Sequence, residues 1–366
     1  MRNKSTPYFR RFALSMTCAL LLFSGLSGAR STTHAQTRAY VSNSNGSTVS
    51  VIDTASNTVI ATIPVDPGPF DVAISPDNSR VYVGSTISNT VFVIDTATNS
   101  LIATILTGFG PRAITFAPDG SQAYVTSSLS NSVLVVDTVT TTVIATVPVG
   151  DVPLGVDVTP DGTRVYVSNA LSDTVSVVET ATNTVIATIP VGDFPFRLAI
   201  TPDGTRAYVL IERDNSVSVI NTTTNTVIAT IPVGALPIGV AVTPDGTRVY
   251  VGSVVGDTVS VIDTATNAVI ATIPVPSATG VAVTPDGLRV YVANTDTNTV
   301  SVIDTTTNTV VATIPVGINP AGVAIMSSPA PKTKDECMNG GYKKFVPPIG
   351  PFKNQGQCIK FVIKAP

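Results

Sequence analysis

The 366-residue sequence has no tryptophan and a single histidine, His34. His34 falls within residues 1–35, which we predict to be an export signal that is removed. Imidazole is the usual acid–base group near neutral pH and a common ligand of haem and copper. The mature chain is therefore not expected to carry haem, copper or histidine-based chemistry, and an all-carboxylate calcium site is the one cofactor left open.

Lysine is absent from residues 37–330, which hold nine arginines against twenty-two acidic residues, a formal charge of −13. Nucleic-acid binding depends on basic side chains that neutralise phosphates, so we do not expect nucleic acid as a partner. Residues 331–366 differ, with seven lysines against two acidic residues. That composition is typical of a solvated appendage, and contact with an anionic surface is the alternative.

Residues 1–35 have the pattern of a signal peptide. A basic start precedes an apolar stretch from Phe12 to Gly28, and small residues at Ala35, or alternatively Ala29, suit cleavage. A retained membrane anchor is the alternative, but the apolar stretch is short for a span. We expect export to the periplasm, the cell surface or the medium, with no membrane span in the mature chain.

Cysteine is scarce, and removal of residues 1–35 leaves Cys337 and Cys358. An even count in an oxidising compartment predicts one disulfide between them. Two cysteines without histidine are too few for a zinc site. We place a linker at residues 328–334 and a small basic element with this disulfide at residues 335–366.

A repeat fills the rest of the chain. Tyrosine recurs at intervals of 42 or 41 residues, at Tyr40, Tyr82, Tyr124, Tyr166, Tyr208, Tyr250 and Tyr291. Each copy holds four short stretches with a hydrophobic period of two, separated by turn residues such as the PDG of Pro244–Gly246. Four antiparallel strands every ~40–45 residues are typical of a β-propeller blade.

Proline and the two ends of the repeat predict how the blades are built. Proline recurs in the fourth strand, which must then be the outermost strand, because proline cannot donate to a central ladder. The repeat begins with a second-type strand and ends with a first-type strand. One blade therefore combines residues 37–65 with residues 321–327. The predicted fold is an all-β, seven-bladed β-propeller over residues 36–327, closed by a C-terminal strand and expected to be a monomer.

The motif RVYVSN, followed by TVSVIDT, VIATIPVG and GVAVTPDG, resembles the YVTN-type β-propeller repeat of bacterial and archaeal proteins. The resemblance covers residues 37–327 and implies a cell-surface or periplasmic propeller of mixed function. The segment around Cys337 and Cys358 resembles a short cysteine-paired element at the C-terminus of assorted exported bacterial proteins.

Residues that recur from copy to copy are predicted to be structural. The PDG aspartates, such as Asp161 and Asp245, and the acids that end the third strands, such as Asp53, are expected to bond their own turns. The tyrosines are expected to pack blade against blade. The arginines that follow the PDG turns, such as Arg164 and Arg248, are interpreted as groups that pair with those turns.

Departures from the repeat carry the functional hypothesis. They gather at the starts of first strands and in one second-to-third-strand loop, on one mouth of the channel, where propellers usually place ligands. The candidate ligand-binding residues are Phe70, Asp71, Arg112, Asp157, Phe196, Arg197, Glu212 and Arg213. We expect Arg112, Asp157 and Arg197 to face one sector of that mouth.

Two functions fit this pattern. The first is a non-enzymatic, exported scaffold that binds a protein, peptide or glycan at this mouth, because no nucleophile is arranged with a base. The alternative is a calcium-assisted lactonase or hydrolase that uses Asp71 and Asp157 near the axis.

Overall fold

The computed structural model describes residues 37–326, which form twenty-eight β-strands and one short 3-10 helix, Ser128–Ser130. The strands assemble into seven antiparallel sheets of four strands each. The predicted seven-bladed β-propeller is therefore confirmed. The predicted signal peptide and C-terminal element, with Cys337 and Cys358, lie outside the described residues.

The blades follow one another along the chain, and within each blade the strands run in order from the innermost to the outermost. Blade 1 consists of β28 (Pro320–Ile325), β1 (Arg38–Asn43), β2 (Thr48–Asp53) and β3 (Thr58–Pro64). Blade 2 consists of β4 (Pro69–Ile74), β5 (Arg80–Ser85), β6 (Thr90–Asp95) and β7 (Ser100–Leu106). Blade 3 consists of β8 (Pro111–Phe116), β9 (Gln122–Ser127), β10 (Ser132–Asp137) and β11 (Thr142–Pro148). Blade 4 consists of β12 (Pro153–Val158), β13 (Arg164–Asn169), β14 (Thr174–Glu179) and β15 (Thr184–Pro190).

The remaining three blades have the same build. Blade 5 consists of β16 (Pro195–Ile200), β17 (Arg206–Ile211), β18 (Ser216–Asn221) and β19 (Thr226–Pro232). Blade 6 consists of β20 (Pro237–Val242), β21 (Arg248–Ser253), β22 (Thr258–Asp263) and β23 (Ala268–Pro274). Blade 7 consists of β24 (Ala278–Val283), β25 (Arg289–Asn294), β26 (Thr299–Asp304) and β27 (Thr309–Pro315).

The outermost strands are the fourth strands, as predicted, and six of the seven end in proline, while β7 ends in Leu106. Each pairs with the third strand through a register shift that leaves one aliphatic residue unpaired, such as Ile60 in β3 or Ile186 in β15. These residues are 45% and 47% exposed. A bulge and a terminal proline both discourage pairing with another chain, so the open edges of the ring are protected.

Blade 1 closes the ring by joining the two ends of the described chain. Strand β28 pairs antiparallel with β1, so that Val323 lies opposite Val41. The amide of Met326 also donates to the carbonyl oxygen of Arg38 at 2.9 Å. The predicted closure by a C-terminal strand is confirmed.

The seams between neighbouring blades are held by the repeated tyrosines and arginines. Tyr166 is fully buried, and its hydroxyl donates to Oδ1 of Asn225 in the next blade at 2.7 Å. Arg164 donates to the carbonyl oxygen of Thr222, also in the next blade, at 3.0 Å. The packing role of the tyrosines is confirmed. The interpretation of the arginines as partners of their own turns is wrong for most copies, because their long side chains reach across the seam.

Blade 3 departs from this scheme on both of its seams. It has Thr141 where six blades have asparagine, and the hydroxyl of Tyr82 in blade 2 is left without a partner. It also has Gln122 in place of the arginine, and Tyr124 donates to this glutamine at 3.0 Å. Oδ1 of Asn183 in blade 4 is then left unpaired. Two sequence departures therefore account for two unsatisfied buried atoms.

The ring has two unlike faces. The turn face carries the turns that join first to second and third to fourth strands. The loop face carries the loops that join second to third strands and each outermost strand to the next blade. Loops of the two kinds bond each other there, as where the amide of Glu212 donates to the carbonyl oxygen of Phe194 at 3.1 Å. Within residues 37–326, no helix has the length and apolar character needed to cross a membrane.

Candidate functional site

The first strands line the central channel and begin at the loop face. Their third residue is glycine in β12, β20, β24 and β28, because neighbouring first strands approach closely there. A Cβ on Gly155, for example, would lie only 2.5 Å from the carbonyl oxygen of Phe196. Asp71 and Arg197 occupy this position in β4 and β16. The residue before it is Phe70, Arg112 or Phe196 in three of the blades.

Asp71 and Arg197 form an ion pair across the channel. A guanidinium nitrogen of Arg197 lies 2.8 Å from Oδ1 of Asp71, and the two side chains are 19% and 8% exposed. Blades 2 and 5, which carry them, are separated by two blades on one side and three on the other. The contact therefore spans the axis. Oδ2 of Asp71 accepts a hydrogen bond of 2.8 Å from the amide of Ile114 in blade 3, so this carboxylate joins three blades.

Arg112 adds a second guanidinium to the same place. Its central carbon lies 4.3 Å from the ring centroid of Phe70 and 5.9 Å from that of Phe196. The corresponding atom of Arg197 lies 5.6 Å from the Phe70 centroid. Two cations thus share one aromatic ring, a favourable arrangement for each but repulsive between them. We call Phe70, Asp71, Arg112, Phe196 and Arg197 the mouth cluster.

Serines of the second strands hold the two phenylalanines in place. Ser42 of β1 donates to the carbonyl oxygen of Phe70 at 2.7 Å and accepts from the amide of Gly322 at 2.8 Å. Ser168 of β13 donates in the same way to the carbonyl oxygen of Phe196. The mouth cluster therefore rests on strands that are bonded to their neighbours at the same level of the channel.

Asp157 does not join the mouth cluster. Its oxygens accept hydrogen bonds of 2.8 Å from the amide of Ile200 and 2.9 Å from that of Val158, and Thr115 Oγ1 lies 3.3 Å away. Burial raises the pKa of Asp157 to about 6, and these hydrogen bonds oppose the shift. The expectation that Asp157 shares one sector with Arg112 and Arg197 is wrong. Asp157 is the fifth residue of its strand, roughly 7 Å farther along than the third.

Glu212 and Arg213 lie in the loop between β17 and β18, beside the mouth. Burial raises the pKa of the Glu212 carboxyl, and the charges of Arg213 and Arg112 oppose that shift. Arg213 pairs with Asp193 at 3.1 Å and lies 4.5 Å from the Phe194 centroid. Both side chains of this pair are about half exposed, at 55% and 51%. Arg213 therefore contacts a ring as Arg112 does, but with an anionic partner and in solvent, so this predicted ligand-binding residue lies outside the mouth cluster.

An apolar layer surrounds the mouth cluster, and sequence reasoning missed most of it. Leu154, Ala170 and Phe196 are buried together, and four partly buried side chains pack against them: Phe70, Val152, Phe194 and Ile238. Leu154 and Ile238 occupy the second position of their strands, as Phe70 and Arg112 do. That shared position was the signal that could have identified them.

The carboxylates do not fit a calcium site. Residues 37–326 contain no group of three or more aspartate, glutamate, histidine or cysteine side chains that could hold a metal ion. Asp71 accepts from Arg197 and an amide, and Asp157 accepts from two amides. Hydrogen-bond donors thus face the oxygens through which these carboxylates would have to bind a cation.

The repeated aspartates of the turn face have structural partners, as predicted. Oδ1 of Asp161 accepts hydrogen bonds from the hydroxyl of Thr159 at 2.6 Å and from the amide of Thr163 at 3.0 Å. These bonds lower the pKa of Asp161. Oδ1 of Asp53 accepts from the amides of Ala55 and Ser56, both at 2.8 Å.

Comparison with known proteins gives the fold a second line of support. Residues 71–230 match the family model described as "Lactonase, 7-bladed beta-propeller". No curated protein matches the chain. The chain is a β-propeller protein.

Solved structures are similar in fold. Hydrazine synthase from Kuenenia stuttgartiensis is 24% identical, with a TM-score of 0.65, over 70% of this chain and 89% of that one. A functionally unknown protein from Desulfotomaculum acetoxidans is 20% identical, with a TM-score of 0.71, over 79% and 99%. The dihydro-heme d1 dehydrogenase NirN is 16% identical, with a TM-score of 0.61, over 78% and 74%. Likenesses at this level of identity establish the fold alone.

Proposed function

We propose that this protein is an exported, non-enzymatic propeller that binds a protein, peptide or glycan through the mouth cluster. The observation that carries the proposal is the convergence of repeat departures. Residues from blades 2, 3 and 5 that replace small or aliphatic side chains meet at one mouth of the channel. Ordinary drift on an exposed surface does not require such contacts across a ring.

The remaining repeated polar groups support a binding role over catalysis. The aspartates of the turn face are used by their own turns, and the arginines of the seams by backbone carbonyls. The mouth cluster contains no serine or threonine, and its one carboxylate, Asp71, is bonded to Arg197 and to the amide of Ile114, so no nucleophile in it is paired with a free base.

Retention of envelope components on the immobilised protein tests the proposal. Arg112→Gln combined with Arg197→Gly should abolish retention, while Arg213→Gln, which removes a cation over a ring outside the mouth cluster, should preserve it. Thermal unfolding of each variant ensures that the comparison is between folded proteins. Equal retention by all three proteins would remove the site from this mouth.

Lactone hydrolysis is the second candidate, since residues 71–230 match a lactonase family model and the pKa of Asp157 is raised to about 6. A carboxyl with such a pKa is suited to acid–base work near neutral pH. Turnover of simple lactones separates the candidates. Turnover that is lost in Asp157→Asn would favour the hydrolase and contradict a purely binding role.

A further inference from the structure

Arg112 differs from every other arginine of the described residues. Eight of the nine donate to an oxygen: five reach backbone carbonyls, and Arg197, Arg213 and Arg289 pair with aspartates. Within residues 37–326, Arg112 has neither a hydrogen-bond acceptor nor a carboxylate at ion-pair distance. Its contacts are the rings of Phe70 and Phe196.

A half-buried guanidinium without an acceptor is costly to maintain. Burial lowers the pKa of Arg112 and the neighbouring charge of Arg197 lowers it further, while the charges of Glu212 and Asp71 oppose the shift. The aromatic contact offsets part of this cost, but it provides no oxygen for the five N–H donors of the group. Asp71 does not provide one, because its two oxygens are bonded to Arg197 and to the amide of Ile114. The charge of Glu212 also acts on Arg112, but its carboxylate is not within ion-pair distance, so no described residue supplies the acceptor.

The surroundings indicate what kind of anion suits the site. The guanidinium fork matches a carboxylate in two parallel hydrogen bonds. Beside it lies the ring of Phe70, which is only partly buried and packs against the buried Phe196 and Leu154. The ring as a whole carries a charge of −13, which repels polyanions such as nucleic acids and acidic polysaccharides. A single carboxylate next to an apolar group satisfies all three conditions.

We infer that Arg112 binds the carboxylate of a peptide ligand, with an adjacent apolar side chain against the partly exposed ring of Phe70. This inference rests on the proposed function and specifies its ligand. Arg197 serves as a positioning residue: its bond to Asp71 occupies that carboxylate and leaves Arg112 available to the peptide.

N-acetyl-phenylalanine is the probe, since it joins a carboxylate to an apolar ring. Saturation-transfer NMR titrations should show that the wild-type protein binds it at least about tenfold more tightly than N-acetyl-phenylalaninamide, the usual worth of a charge-assisted hydrogen bond. Arg112→Gln should reduce that preference to within about twofold. Arg213→Gln is the matched control and should retain it, because Arg213 lies over Phe194 with its own aspartate.

Equal binding of acid and amide by the wild type, or an undiminished preference in Arg112→Gln, would overturn the inference. So would inorganic phosphate or galacturonate binding as tightly as the probe, because the source would then not be a peptide. Should Arg112→Gln fail to fold, the Nε–H resonance of Arg112 in the wild type tests the inference instead. Its chemical shift must change when N-acetyl-phenylalanine is added and remain unchanged when N-acetyl-phenylalaninamide is added. If envelope retention depends on the mouth cluster but the wild type does not prefer the acid over the amide, only this inference is rejected. If the preference for the acid depends on Arg112 but envelope retention does not depend on the mouth cluster, only the proposed function is rejected.

Discussion

The turn face and the loop face are built from the same seven copies, yet they differ in how their polar groups are used. On the turn face, each aspartate accepts bonds from its own turn, as Asp161 does from Thr159 and Thr163. On the loop face, Asp71 and Arg197 bond across the channel, and Arg112 bonds to no oxygen of the described chain. Polar residues that recur in the repeat thus have structural roles. Candidate binding residues are found among those that depart from the repeat.

The volumes of the surface clefts do not show which of the two faces has polar groups available for a ligand. Clefts of about 330 and 500 Å³ open on the turn face, lined by Asp77, Asp119, Asp161 and Asp203 with their neighbouring threonines, serines and arginines. Their carboxylates are already held by serine and threonine partners. The mouth cluster is the better candidate because it contains an unsatisfied cation beside apolar surface.

The largest expected effect comes from removing the anion that spans the channel. Asp71→Asn still offers an oxygen to the amide of Ile114, but it leaves Arg197 and Arg112 facing each other over Phe70. We expect the free energy of unfolding in urea to fall by about 3 kcal/mol, as for other broken buried ion pairs.

Asp193→Asn breaks the exposed pair with Arg213 and is the matched control, with an expected loss of about 0.5 kcal/mol or less. Adding Arg197→Gly to Asp71→Asn should recover most of the stability, since it removes the unpaired cation. Equal losses for Asp71→Asn and Asp193→Asn would show that the channel pair is no more buried than a surface pair.

The sequence predicted the structural features that recur with the repeat. It did not predict contacts between side chains that belong to distant blades. The blade, the strand order, the closing strand and the seam tyrosines all follow from features repeated every 41 or 42 residues. Five members of the site proposed from sequence do meet in the mouth cluster. The partner of Arg197 was not predictable, because Asp71 is far away along the chain and only the curvature of seven closed blades brings them together.

The position of a residue along its first strand was the second feature that made contacts at the mouth difficult to predict from the sequence. Asp157 and Arg197 lie in neighbouring blades, which made pairing between them look natural in the sequence. The two residues occupy the fifth and third positions of their strands, and the amide of Ile200 lies nearer to Asp157 than any arginine does. Registers between first strands of neighbouring blades are set by packing and not by a hydrogen-bonded ladder, so no sequence rule supplies them.

A pH effect of intermediate size should separate the partly buried carboxylate of Asp157 from the carboxylates of the turn face. The folded-state pKa of Asp157 is about 6, above its ordinary value of 3.8, so folding favours the protonated form. That contribution is fully present below pH 4 and is lost as the pH rises through about 6. Asp157→Asn should therefore raise stability by about 2 kcal/mol at pH 7 and change it little at pH 4.

Asp161→Asn provides the opposite sign, because hydrogen bonds lower the pKa of Asp161. Its substitution should destabilise the protein at pH 7, with an effect that shrinks as the pH falls below the ordinary value. Urea unfolding at several pH values measures both. A loss of stability in Asp157→Asn at pH 7 would mean that the carboxylate is better solvated than its contacts indicate.

The smallest expected effect concerns blade 3, where the repeat fails without any sign of function. Thr141→Asn introduces the asparagine that the other six blades have at this position. At other seams the asparagine accepts from the tyrosine of the preceding blade, as Asn99 does from Tyr40 at 3.2 Å and Asn225 from Tyr166 at 2.7 Å. It would give the buried hydroxyl of Tyr82 an acceptor, and it suits the positive φ of 54° at this position, which a β-branched residue adopts at a cost. We expect a gain of about 1 kcal/mol in the free energy of unfolding.

Two further variants divide that gain into its parts. In a Tyr82→Phe background no hydroxyl remains to be satisfied, so Thr141→Asn should keep only the backbone contribution, and the difference between backgrounds measures the seam hydrogen bond. The reverse change, Asn99→Thr in blade 2, deprives Tyr40 of its partner at a φ of 53° and should cost about as much as Thr141→Asn gains. If Thr141→Asn has no effect while Asn99→Thr destabilises, blade 3 has adapted to its threonine, and departures from the repeat cannot be treated as defects even away from the mouth.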